Sequence, residues 1–135
     1  MCLYEINMLV IPNGINQTLI IKGELTDLNS YIRAERGNRY AAAKIKEDET
    51  YRVAQECVAS KLKKMTKIHV MTCNWYCKNE RKDTDNVEFA KKFIMDGLAT
   101  CKIIPDDTRK YTGSTLHQHY IDKLNPRIEV VLEGI

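Results

Sequence analysis

Apolar, β-branched and aromatic residues gather in five short runs that predict strands. Turn residues bound most of these runs, as is typical of strands in a folded domain. Pro12-Asn13-Gly14 is a turn sequence between the first two runs, and it predicts a hairpin with a loop longer than two residues. The predicted strands are residues 5–11, 17–22, 67–77, about 116–120 and 127–133.

Apolar residues at i+3 and i+4 steps predict helices between these strands. A short helix over residues 28–35 has Thr26 or Asp27 as its cap and is interrupted at Gly37. A longer basic helix covers residues 39–63, and another covers residues 87–99 with Asn86 as its N-cap. Because the strands surround two main helices without regular βαβ alternation, the predicted class is α+β. We expect a small mixed or antiparallel sheet with the two helices packed on it.

Length and composition indicate one folded domain. At 135 residues the chain can bury its own core, so we treat residues 1–135 as a single domain. No apolar run reaches the roughly 18–20 residues that span a bilayer, and the first residues lack the basic and apolar regions of a signal peptide. Five cysteines are an odd number, which fits reduced thiols better than a disulfide framework. We therefore expect a cytoplasmic protein that contacts no membrane.

Two pairs of residues raise the question of a zinc or other metal site. Cys73 and Cys77 are four residues apart on a predicted strand, which is about 13 Å at ~3.3 Å per residue. That separation is too long for two thiolates to share an ion with bonds of about 2.3 Å. His117 and His119 form a His-x-His pair on another predicted strand. We interpret this pair as packed or DNA-facing side chains, with metal binding as the alternative.

Positive charge is concentrated in the middle of the chain. The net charge is +3, but residues 33–92 hold fifteen Lys and Arg against nine Asp and Glu, so the rest of the chain is net acidic. A basic region that also carries an acidic pair is typical of an enzyme acting on a polyanion. The alternative is a helix whose charges are simply solvated.

Carboxylates lie close together at two points of the sequence. Asp83 and Asp85 come where an extended segment meets the start of a helix, and Asp106-Asp107 follow the end of that helix. Mg²⁺ prefers oxygen ligands and is usually held by a few carboxylates, with waters and phosphates completing its shell. These residues are therefore a candidate Mg²⁺ site. The alternatives are a helix cap at Asp85 or Asn86 and a Pro-Asp-Asp-Thr turn.

Four motifs occur in a fixed order along the chain. They are Asp83-x-Asp85-Asn86, then Asp96-Gly97-Leu98 at the end of a helix, then Ile104-x-Asp106-Asp107, and Pro126-Arg127-Ile128-Glu129-Val130 near the C-terminus. Together they resemble the RusA-type Holliday junction resolvases. The run of residues 28–44 resembles the branch of that family found in prophages of Gram-positive bacteria, so the resemblance covers most of the chain from Leu28 onward.

The resemblance implies a small homodimeric α+β endonuclease that binds four-way DNA junctions. Such enzymes cut two strands of like polarity symmetrically and need Mg²⁺ or Mn²⁺, without a small-molecule cofactor. In the family, the metal is held by both aspartates of the first motif and the second aspartate of the Asp-Asp pair. These match Asp83, Asp85 and Asp107, while the role of Asp106 stays open. The resemblance also implies a bacterial host cell and a phage or prophage gene.

One position departs from the family pattern. The family has a catalytic lysine one helical turn after the second aspartate, and this chain has Phe89 there. Counted back from Asp96, the family lysine matches Lys92. At ~100° per residue, Asp85, Lys92 and Asp96 fall on one stripe of a helix that begins at Asp85. Lys91 is the second candidate, and the alternative for Lys92 is a surface ladder of i, i+4 ion pairs.

The mechanism expected from these assignments is metal-assisted phosphodiester hydrolysis in DNA recombination or repair. Asp83, Asp85 and Asp107 position the ion, and Lys92 stabilises the extra negative charge. Two alternatives stay open: a Mg²⁺-dependent phosphohydrolase of small nucleotides, and a non-catalytic DNA-binding module in which the aspartates only cap and turn the chain. DNA is held mainly through its phosphates. The candidate DNA-binding residues are Arg33, Arg36, Arg39, Lys44, Lys46, Arg81 and Lys82.

Overall fold

A mixed four-stranded sheet with helices packed on it forms the part of the chain that the structure describes. The computed structural model describes residues 14–135. In chain order the elements are β1 (Ile15–Lys22), α1 (Leu28–Gly37), α2 (Arg39–Ala59), β2 (Ile68–Cys77), α3 (Thr84–Glu88), α4 (Lys91–Thr100), β3 (Thr112–Ile121) and β4 (Arg127–Gly134).

The strand order is β1-β4-β2-β3, so β4 lies inside the sheet although it is last in the chain. It pairs antiparallel with both β1 and β2, whereas β2 and β3 run parallel. A parallel pair needs a long crossover connection, and here α3 and α4 supply it. The predicted α+β class with a mixed sheet is therefore confirmed. The predicted strand at residues 5–11, and with it the hairpin, lies outside the described residues.

The core lies between one face of the sheet and the helices. Alternate residues of each inner strand are buried, because successive side chains of a strand point to opposite faces. On the opposite face Ile20 stays 43% exposed. The largest buried side chains from the strands and helices are Leu19, Ile21, Val53, Ile68, Met71, Trp75, Phe93, Ile94, Leu98, Val130 and Leu132.

Two helices begin directly after a polar residue whose side chain caps them. The Asp27 carboxylate accepts a hydrogen bond from the Ser30 amide at 2.7 Å and caps α1. The Asn38 side chain accepts from the Tyr40 amide at 2.8 Å and caps α2. The helix predicted over residues 39–63 ends earlier, at Ala59, and Lys61 adopts a left-handed φ of 54° just beyond it.

The helix predicted over residues 87–99 with Asn86 as its cap is wrong in both respects. Two helices occur, α3 and α4, and Phe89 and Ala90 form a turn between them. Asn86 is buried inside α3, where its side-chain oxygen accepts a hydrogen bond from the Asn29 amide of α1 at 2.8 Å. Asp83 takes the N-cap position instead.

The other predicted strands are confirmed, with β3 longer than the five residues expected. Within residues 14–135, no helix has the length and apolar character needed to cross a bilayer.

Candidate functional site

Asp83 and Asp85 lie on either side of the first residue of α3. The Asp83 carbonyl accepts a hydrogen bond from the Val87 amide at 3.2 Å, but its carboxylate makes no capping bond. The Asp85 carboxylate accepts from the neighbouring Asn86 amide at 3.0 Å. Both residues are exposed, and neither forms an ion pair with another residue of the described part. The helix therefore leaves both carboxylates accessible to a ligand.

Asp107 belongs to the other end of the β2–β3 pair. The parallel register joins Ile68 to Thr112 at one end and Cys77 to Ile121 at the other. Strands of this length separate their two ends by about 30 Å. Asp83 follows the end at Cys77, whereas Asp107 precedes the end at Thr112. Within residues 14–135, no three His, Cys, Asp or Glu side chains form a group able to hold a metal ion. One chain therefore brings Asp83 and Asp85 together without Asp107.

Asp107 lines a groove between α2 and α4 with a volume of about 640 Å³. Asp96, Asp106 and Lys46 also line it. The Asp106 carboxylate accepts a hydrogen bond from the Asp107 amide at 2.7 Å, so it supports the turn that presents Asp107. One buried oxygen of Asp96, Oδ2, has no hydrogen-bond partner among the described residues.

Phe89 faces α1 rather than the carboxylates. Its ring lies 5.2 Å from the Tyr31 ring and 5.6 Å from the Phe93 ring, measured between centroids. The turn at this residue also breaks the single helix on which the predicted stripe of Asp85, Lys92 and Asp96 depended, so that stripe is wrong. Lys92 is exposed and forms no ion pair within residues 14–135, so the alternative ladder is absent there as well.

Glu88 contacts β3 instead of Lys92. Its Oε2 lies 2.5 Å from Nε2 of His119. Two residues earlier on the strand, Nδ1 of His117 accepts a hydrogen bond from the Trp75 indole N–H at 2.9 Å. Sequence reasoning singled out the two histidines and put Glu88 in the ladder with Lys92. It missed the contact between Glu88 and His119, since nothing in the sequence pairs residues 31 positions apart.

Lys91 lies on the same side of the helices as Glu88. Burial is the main reason why the pKa of His117 is lowered; the Glu88 charge opposes this shift, while those of Lys91 and His119 add to it. Burial also raises the pKa of Cys73 to about 12, with Lys91 opposing and Glu88 adding to the rise. Cys73 is therefore a neutral thiol at neutral pH. The Glu88 and Lys91 side chains are thus both near the β2–β3 face, whereas Lys92 is not.

The predicted DNA-binding residues fall into two groups. Lys44 pairs with Asp48 at 2.8 Å, and Lys82 pairs with the buried Asp27 at 2.9 Å. By contrast, Arg33 and Arg36 of α1 are exposed and line a shallow groove with Asn29. The remaining candidates are Arg39, which stacks over the Tyr40 ring, Lys46 in the Asp107 groove, and the exposed Arg81.

Comparison with known proteins adds no relative. A scan against protein-family models finds no match to this chain, and a search of curated proteins finds none either. The likeness to the junction resolvases therefore rests on the sequence motifs alone.

Proposed function

We propose that this protein is a homodimeric, Mg²⁺-dependent endonuclease that cuts four-way DNA junctions. The observation that carries the proposal is the exposed pair Asp83 and Asp85 at the start of α3. Neither carboxylate is used by a helix cap or by an ion pair with a described residue. Two carboxylates held close together repel each other, and a cation bound between them outweighs this repulsion.

The donor set of this pair fits Mg²⁺ or Mn²⁺. Carboxylate oxygens are the hard ligands that these ions prefer, and Mg²⁺ is commonly held by one or two carboxylates together with substrate phosphates. When bound, the ion supplies Lewis-acid polarisation of the phosphate and lowers the pKa of a bound water. Asp83 and Asp85 hold it in this proposal, and the DNA itself completes the site.

The position of Asp107 is the reason to include a second chain. Asp107 and the Asp83 pair belong to opposite ends of the parallel strands, so the loop of Asp107 is assigned to the other subunit's pair. An isologous dimer makes every such contact twice, and a four-way junction has near two-fold symmetry of its own. The dimer therefore presents two equivalent sites to two strands.

Lys91 is the better candidate than Lys92 for stabilising negative charge on the phosphate. It lies on the side of Glu88, where its positive charge acts on His117 and Cys73. Lys92 points to solvent without a partner in the described part of the chain.

The exposed Arg33, Arg36 and Arg81 are the proposed phosphate contacts, while Lys44 and Lys82 are engaged by carboxylates.

The setting that we propose for this activity is the cytoplasm of a bacterium that carries the gene on a phage or prophage. Two other functions use the same residues differently. A phosphohydrolase of small nucleotides needs the carboxylates but no dimer, and a DNA-binding module needs the basic surface but no metal.

One gel experiment separates these functions. The purified protein is incubated with a labelled four-way junction, a linear duplex or free nucleotides, with and without Mg²⁺. We expect symmetric cleavage of the junction only when Mg²⁺ is present. Asp83→Asn and Asp85→Asn should still shift the junction in a native gel but should not cut it, while Glu80→Gln, an exposed neighbour in the same loop, serves as the matched control. Full cleavage by either Asp variant, or cleavage of nucleotides alone, contradicts the proposal.

A further inference from the structure

We propose that His119, held by Glu88, gives its proton to the leaving oxygen when the phosphodiester bond breaks. This inference rests on the nuclease activity proposed above and adds a chemical group to it. Breaking a phosphodiester releases an alkoxide, which is a poor leaving group unless a positioned acid protonates it. In the proposed mechanism the carboxylates hold the ion and Lys91 stabilises charge, so neither supplies this proton.

The contact between the two side chains orients the imidazole. Nε2 of His119 lies 2.5 Å from Oε2 of Glu88, so the carboxylate accepts the Nε2 proton. A carboxylate on one ring nitrogen fixes the orientation of the ring, which leaves the other nitrogen to exchange a proton with a substrate. Nδ1 of His119 forms no hydrogen bond with any residue from 14 to 135.

The exposure of this pair suits a group that meets a substrate. The side chains of His119 and Glu88 are 28% and 29% exposed, so both are partly desolvated and still accessible. β3 is the last strand of the described sheet on its side, and no described strand covers its outer edge. A DNA backbone can therefore approach His119 along that edge.

The pair also lies next to the proposed metal ligands. Glu88 follows Asp85 by three residues in α3, and side chains at i and i+3 are neighbours on a helix, with Cβ atoms about 5–6 Å apart. His119 is thus connected to the Asp85 side of the site through one carboxylate. Lys91 adds a cation at the same face.

His117 does not have the same capacity, although it lies only two residues away. Its Nδ1 accepts the Trp75 indole proton, and burial is the first cause of its lowered pKa. An imidazole in that state stays neutral and serves packing. The contrast assigns the proton transfer to His119 rather than to the His-x-His pair as a unit.

In the proposed step, one bond to phosphorus forms and another breaks. The oxygen of the attacking water forms a bond to phosphorus, and the bond between phosphorus and the leaving oxygen breaks. The leaving oxygen takes the proton from Nδ1 of His119, while the proton lost by the water passes to solvent. His119 then takes a proton back from solvent, so no other reactant is consumed.

A junction with a sulfur atom in place of the leaving bridging oxygen tests this role. Sulfur leaves as a thiolate without protonation, so an enzyme that lacks its acid should recover on this substrate. The ends of the products first identify whether the 3′ or the 5′ oxygen leaves. On the oxygen junction we expect His119→Gln to cut roughly 10²–10⁴-fold more slowly than the wild type. On the sulfur junction the two proteins should cut within a few-fold of each other.

Two further variants complete the experiment. Glu88→Gln should show a smaller loss with the same recovery on sulfur, because it keeps a partner for the ring but removes the charge. His69→Gln, at the far end of β2, should behave as the wild type on both substrates. Thermal unfolding and junction binding should be unchanged in all three variants.

The outcomes separate this inference from the function on which it rests. If the wild type cuts neither junction, the proposed nuclease function fails. If the wild type cuts and His119→Gln is equally slow on oxygen and sulfur, or is not slow at all, the role of His119 is overturned and the nuclease function stands.

Discussion

The ring of Phe89 packs against the ring of Tyr31, with centroids 5.2 Å apart and planes tilted by 42°. Phe93 completes the cluster, edge-on to Phe89 at 5.6 Å and to Tyr31 at 6.3 Å. These three rings connect α1 to the turn between α3 and α4. Aromatic contacts of this kind stabilise a fold beyond the area that they bury. The position at which the resolvase pattern has a lysine is therefore a packing position in this chain.

Phe89→Lys should weaken the fold and should not improve catalysis. A lysine at this site loses the aromatic contacts and brings a charge into a partly buried position. We therefore expect a loss of about 2–4 kcal/mol in the free energy of unfolding. Phe89→Leu keeps an apolar side chain and should lose about 1 kcal/mol. Urea unfolding measures both losses, and junction cleavage is assayed in parallel. Faster cleavage by a fully stable Phe89→Lys variant shows that the position is catalytic after all.

The buried Asp27 combines a helix cap with an ion pair. Burial on its own raises the pKa of this carboxyl, but the hydrogen bonds from Lys82 and Ser30 outweigh it and hold the pKa below its ordinary value. A pKa that is lower in the folded than in the unfolded state stabilises the fold above the unfolded pKa, which is about 3.9 for Asp. That contribution is lost as the pH falls through the folded pKa.

Asp27→Asn should therefore be destabilising at neutral pH and much less so in acid. Asn caps helices as well as Asp does, so the variant keeps the bond from Ser30 and loses only the charge opposite Lys82. We expect a loss of about 1–2 kcal/mol at pH 7, because Lys82 is partly exposed. The gap should close as the pH drops below about 4. Urea unfolding at several pH values tests this, and an equal gap at pH 7 and pH 3 rules the ion pair out as the cause.

Mixed dimers test the assignment of Asp107 to the partner's site. Asp85→Asn and Asp107→Asn chains should each be inactive as pure dimers. If a site combines Asp85 of one chain with Asp107 of the other, a mixed dimer contains one intact site. Co-expressed chains should then recover about a quarter of wild-type nicking, because half of randomly formed dimers are mixed and each has one working site. No recovery in a preparation that contains mixed dimers places all three carboxylates in one chain.

The strands were predictable because their signals are local. β4 alternates buried and partly buried residues along its whole length, and this pattern is visible in the sequence. The cap of α1 is similar, since Asp27 bonds to an amide three residues away. Features of this kind need no knowledge of the rest of the fold.

The predictions that were wrong concern positions fixed by contacts between distant segments of the chain. Asn86 has the right residue type for a cap, but its side chain bonds to the Asn29 amide 57 residues earlier. The break after α3 accompanies the packing of Phe89 on Tyr31, which no periodicity encodes. Likewise, the distance between Asp83 and Asp107 depends on the parallel pairing of β2 and β3, and strand order cannot be derived from the strands themselves.

Gly97 lies where α4 crosses α2 at short distance. A Cβ atom added to it would lie 2.4 Å from Cγ1 of the buried Val53 and 3.2 Å from the Ala54 amide nitrogen. A contact of 2.4 Å cannot be kept, so either the valine or the helix must move. This close approach explains a glycine in the middle of a helix, where it otherwise costs about 1 kcal/mol relative to alanine.

Gly97→Ala should lower the free energy of unfolding by about 1–3 kcal/mol, since overpacking outweighs the gain in helix propensity. In a Val53→Ala background the same change should cost less but should not become neutral, because the Cγ atoms are gone while the Cβ of residue 53, 2.6 Å from the new methyl group, remains. A double-mutant cycle from urea unfolding measures this coupling. Gly37→Ala is the matched control, since nothing lies within 4 Å of a Cβ at Gly37. An equal gain at both glycines contradicts the close crossing of α2 and α4.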